Sequence, residues 1–142
     1  MPDEKNIEKI ASTLKDFKGQ YKIIDKAVSY RNCVFRFQSE GSTDSKICDD
    51  GSVEISCVKI DEYVGDLDVT FLKIDIEGYE LNALKGAKET IVRCKPTIAI
   101  SLYHKPEDIF VLPEYILSLN PEYKLFVRRY DALCAETVLF AV

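Results

Sequence analysis

Three stretches of the chain, VTFLKIDI (residues 69–76), TIAISLY (97–103) and TVLFAV (137–142), are nearly unbroken apolar runs of strand length. A strand with one wet face alternates polar and apolar residues, whereas a continuous apolar run fits a strand covered on both faces, as in a sheet flanked by helices. Between the first two runs lies GYELNALKGAKETIVRCKP, where Leu81, Leu84, Ile91 and Val92 recur at helical spacing, Gly86 interrupts the helix and Pro96 ends it. This is a strand–helix–strand unit, so the two strands should be parallel. After TIAISLYH, Pro106, Glu107 and Asp108 suit a helix first turn, and Ile109, Leu112, Ile116 and Leu119 give its inner face, with a kink expected at Pro113. YKLFVRRY and TVLFAV then follow with a connection too short for a parallel crossover, which makes them antiparallel neighbours. The fold class is α/β, a mostly parallel sheet ending in an antiparallel hairpin.

The first part of the chain carries weaker signals. Asp3 can cap a helix whose apolar residues Ile7, Ile10, Ala11, Leu14 and Phe17 share a face, and Gly19 stands where a left-handed terminator is wanted. YKII (residues 21–24) reads as a strand. VFRF (34–37) and VEISCVK (53–59) alternate in polarity around the loop SEGSTDSKICDDGS, an antiparallel excursion in which residues 40–51 form a loop or a lid.

Composition excludes several roles. The net charge is −5 and the isoelectric point about 5.0, so counterion release from phosphates supplies little binding energy and nucleic acid is not expected as a partner. No apolar run reaches the roughly 20 residues of a spanning helix, so no membrane partner is expected, and the start MPDEKNIEKI has no secretory pattern, which predicts a cytoplasmic protein. Five cysteines without a C-x-x-C pair argue for buried thiols rather than a disulfide framework or a zinc ribbon. At 142 residues one domain is expected.

Against this background the acids of FLKIDIEGYE stand out. Ligands of open α/β sheets bind beyond the carboxyl ends of the strands, where Asp75 and Glu77 lie. The next strand ends at His104, the single histidine, which a parallel arrangement brings to the same sheet edge. A carboxylate beside an imidazole is a natural general base, and such a cluster could also bind a divalent ion. The plainer alternative is that Glu77 and Glu80 serve the helix N-terminus and that His104 is structural.

The phrases KIDIEGYE, LKGA, KPTIAISLYHKPED and ETVLF, in that order, closely resemble the FkbM-type family of S-adenosylmethionine-dependent methyltransferases, strongly over residues 58–142 and more loosely over 2–59. AVSYRNCVFRFQSEGSTDS and VKIDEYV resemble further family segments. The resemblance implies a Rossmann-like fold and methylation of a small-molecule or sugar hydroxyl, with Asp75, Glu77 and His104 as catalytic residues on the acceptor side and no metal. It places Ala27, Val28 and Ser29 by the adenine, and Pro2–Asp3 at the tail of the motif whose preceding acid holds the ribose. The family's glycine-rich turn has no counterpart, since Gly19 is the first glycine and Met1 stands where the ribose acid belongs. Residues 1–142 are therefore expected to be a family domain truncated within its cofactor motif. Two functions stay open: a methyltransferase whose isolated chain is incomplete, or a non-catalytic remnant or interaction module. The strands that would lie beside VTFLKIDI are not present either, which leaves an edge through which copies of the chain could pair.

Overall fold

A computed structural model describes residues 4–37, 53–130 and 136–142. Asp3, with its expected capping and ribose roles, and the expected lid at 40–51 lie outside the described residues. The described chain is a mixed α/β structure with two sheets and forms two compact units, residues 4–27 with 32–37 and 53–58, and residues 28–31 with 59–130 and 136–142.

In the first unit, helix α1 (Glu4–Thr13) is followed by strands β2 (Cys33–Phe37) and β3 (Val53–Lys59), which pair antiparallel with Cys33 opposite Cys57. The helix forms where the apolar spacing predicts it, but Ile10 and Phe17 remain about half exposed. Gly19 is not left-handed, because the helix has already unwound through turns after Thr13. Residues 21–24 form no strand, and the strand β1 (Ala27–Ser29) comes a few residues later. Tyr21 is exposed there, and a β-forming sequence without a ladder partner has nothing to hold it as a strand.

The second unit contains a four-stranded sheet built from β4 (Phe71–Ile74), β5 (Thr97–Ser101), β6 (Leu125–Arg129) and β7 (Thr137–Ala141), in the order β4-β5-β7-β6. β4 and β5 are parallel, with Ile74 opposite Ile100. β7 runs antiparallel to both β5 and β6, so the parallel pair is followed by the expected hairpin. The β4-to-β5 crossover consists of α3 (Glu80–Gly86) and α4 (Lys88–Cys94), broken at Ala87 next to Gly86 as the sequence suggests. α5 (Asp108–Leu119) runs on through Pro113.

The core joins Ile74, Ile98, Ile100 and Leu139 of the sheet to Leu84 and Ile91 of the crossover and to Leu112 and Ile116 of α5. Each such side chain contributes about 1.5–3 kcal/mol on leaving water. β5 is central and buried, whereas β4 lies at a sheet edge with Phe71 54% exposed, so only part of its apolar run is covered.

Two local devices fix the crossover. Asp61, buried in the short helix α2 (Ile60–Val64), accepts hydrogen bonds from the backbone N–H groups of Thr90 at 2.8 Å and Glu89 at 3.2 Å, capping α4 from outside its own sequence. At Gly86 the backbone of α3 meets the Ser29 carbonyl so closely that a Cβ has no room. α4 ends with Lys95 in the left-handed conformation, and Pro96 prevents any continuation. Among the described residues no helix is long and apolar enough to cross a membrane.

Candidate functional site

The parallel pairing of β4 and β5 determines what meets at their carboxyl ends. Because Ile74 and Ile100 are in register, Asp75 leaves β4 beside Ser101, and Tyr103 and His104 follow just beyond. The chain then turns sharply. Glu77 has φ 57° and Gly78 φ 90°, both in the left-handed region. Glycine is required at 78, where a side chain would also press on Lys105. A glutamate with positive φ costs on the order of 1 kcal/mol and persists only where the surroundings fix it, a feature that concentrates at functional sites. The Lys105 ammonium donates to the Gly78 carbonyl and lies 5.7 Å from the centre of the Tyr79 ring, which ties the exit of β5 to this turn.

Asp75, Glu77 and His104 come together as the sequence anticipates. His104 Nε2 lies 3.7 Å from Asp75 Oδ1 and 3.5 Å from Glu77 Oε2. The imidazole is buried, Glu77 is almost fully exposed and Asp75 is between the two. Tyr103 Oη donates to Asp75 Oδ1 at 3.2 Å, and Lys73 Nζ lies 3.2 Å from Oδ2. Burial alone would raise the Asp75 pKa, but hydrogen bonds from Lys73, Ser101 and Tyr103, with the charge of Lys73, hold it below the usual aspartate range. The Tyr103 phenol is pushed up by burial and then by the Asp75 charge. Its ring stacks at a tilt on His104, with centroids 4.2 Å apart.

Glu80, which the sequence leaves between the reaction site and a helix-terminus role without a catalytic assignment, is completely buried. Its Oε1 accepts the Ile76 N–H at 3.0 Å and lies 2.8 Å from His104 Nδ1. Neither imidazole nitrogen has a hydrogen bond of good alignment, and Glu80 Oε2 and Asp108 Oδ2 are likewise buried without partners. The available signal was the spacing of Asp75 and Glu80, which flank a tight turn and so can aim at one point. Asp75, Glu80 and His104 each offer a ligand atom within 4.8 Å of the others, so these three could hold a divalent cation.

Of the residues expected at the cofactor, Asp3 lies outside the described residues. Ala27, Val28 and Ser29 form β1, in which Val28 packs on the core of the second unit and Ser29 is buried under Gly86.

Comparison with known proteins gives a consistent result. The model of the methyltransferase FkbM domain matches residues 2–131. The fold is similar to the crystal structure of methyltransferase FkbM from Methylobacillus flagellatus KT, with a TM-score of 0.80 and 29% identity over 99% of this chain. The chain spans 35% of the length of that protein. No match is found among curated proteins.

Proposed function

Because the chain belongs to the FkbM methyltransferase family, we propose that its chemistry is transfer of the methyl group of S-adenosylmethionine to a hydroxyl oxygen of a small-molecule or sugar acceptor. The observation that carries this reading is the meeting of Asp75, Glu77 and the buried His104 at the carboxyl ends of two parallel strands. Bound S-adenosylmethionine would supply the methyl group, which an acceptor oxygen would take in line as the carbon–sulfur bond breaks to leave a neutral thioether. The hydroxyl proton goes to Asp75, which is partly exposed, or to His104 Nε2, which Asp75 and Glu77 face. A positioned base of this kind contributes about 10²-fold or more, and most of the remaining rate comes from holding the two substrates in line. On this reading Asp3, Ala27, Val28 and Ser29 serve the cofactor.

A second reading starts from β4 at the edge of its sheet, where Phe71 is exposed: the chain is an interaction module of the methyltransferase fold, pairing with another copy through that edge. One experiment separates the two. After circular dichroism confirms folding, the chain is titrated calorimetrically with S-adenosylhomocysteine. Micromolar binding supports the enzyme, whereas a folded chain that binds nothing supports the module. Where methyl transfer is measured, His104→Ala and Asp75→Asn should each lower turnover by about 10²-fold.

A further inference from the structure

An imidazole can serve as a base only through a nitrogen that carries no proton, and which nitrogen that is depends on what the other one meets. His104 has carboxylates on both sides. Nδ1 faces Glu80 Oε1 at 2.8 Å, and Nε2 faces Glu77 Oε2 at 3.5 Å and Asp75 Oδ1 at 3.7 Å. Three facts make this contest unequal. The Glu80 contact is at hydrogen-bond length and only its angle departs from a hydrogen bond, whereas both contacts at Nε2 are too long for one. Glu80 is completely buried, where an electrostatic contact is weakly screened, while the Glu77 side chain is 86% exposed. Asp75 already has Lys73 and Tyr103 as partners.

Glu80 is itself well held. It opens α3, and its Oε1 is fixed by the Ile76 N–H, so the group that meets Nδ1 is set by the backbone leaving β4. The nearby Asp108 is buried too, and its carboxyl is pushed up first by that burial and then by the charge of Glu80. Burial and the neighbouring charge thus favour the protonated form of Asp108.

The geometry points to Glu80 as a positioning residue that keeps the proton of neutral His104 on Nδ1 and so leaves Nε2 as the basic nitrogen on the side of Asp75 and Glu77. This inference rests on the proposed methyltransferase reading for its catalytic meaning, but not for its test. A carboxylate behind an imidazole is a known way to fix the tautomer.

The test exploits the fact that His104 is the only histidine. The chain is labelled with ¹⁵N-histidine, and long-range proton–nitrogen correlation spectra are recorded above the midpoint of the ring's titration, where the imidazole is neutral. The expected result is a protonated Nδ1 and an unprotonated Nε2. Glu80→Gln, which retains an acceptor oxygen, should preserve that pattern, and Glu80→Ala should shift the population toward a protonated Nε2. A wild-type ring protonated on Nε2 overturns the assignment, and this holds even if Glu80→Ala fails to fold. A tautomer unchanged in folded Glu80→Ala overturns it as well. Neither result depends on cofactor binding, so failure of this inference and failure of the methyltransferase reading are distinguishable.

Discussion

The Tyr103 hydroxyl donates to Asp75 Oδ1 at 3.2 Å, joining the exits of two neighbouring parallel strands. It is one of the interactions that hold Asp75 below the usual aspartate range against the opposing effect of burial. Tyr103→Phe should therefore raise the Asp75 pKa, as measured by carbon NMR of the carboxyl group. The linkage has a definite sign. A depressed folded-state value gives stability that is present above the unfolded-state pKa, about 3.9, and is lost as pH falls through the folded one. The variant should lose that contribution at a higher pH than wild type.

Asp108 gives the opposite pH dependence. Burial and the charge of Glu80 raise its pKa, so its contribution is fully present below the unfolded-state value and is lost as pH rises through the folded one. Asp108→Asn removes that loss. In urea denaturation the variant should gain stability relative to wild type between pH 4 and pH 8, and a gap that does not change with pH would refute the assignment.

Gly86 tests how closely α3 approaches β1. Alanine in place of glycine favours a helix by about 1 kcal/mol. Here its Cβ would be driven into the Ser29 carbonyl, and such overpacking costs about 1–3 kcal/mol or more. The clash should win, and Gly86→Ala should lower the urea midpoint. A stabilised variant would mean that the backbones are further apart.

Cys57 lies opposite Cys33 on the neighbouring strand, and its thiol is pushed up to about 12 by burial and then by Cys33. Since the thiolate is the reactive form, Cys57 should be alkylated by iodoacetamide more than about a hundredfold more slowly in the folded chain than in urea. Peptide mass spectrometry read cysteine by cysteine measures this directly.

The gathering of Asp75, Glu77 and His104 was legible because it depends on one inference, that two apolar runs joined by a helical crossover lie parallel. Once that holds, the strand ends must be neighbours. The role of Glu80 was not legible, since an acid in a helix first turn has the same local signature whether it faces water or an imidazole. The strand expected at residues 21–24 failed for a related reason, since β-forming residues become a strand only when another strand offers them a ladder. The helix α1 was legible from its spacing only as far as Thr13, short of Leu14 and Phe17, and spacing does not reveal what covers a face, since Ile10 is left about half exposed.

Asp75, Glu77, Glu80 and His104 all lie within the uninterrupted stretch from β4 through α3, α4 and β5 to the turn just beyond it. Most clusters of converging side chains draw on distant parts of a sequence and must be assembled anew in each lineage. This one is carried whole by a single segment, so one recombination event could transfer it to another protein or remove it.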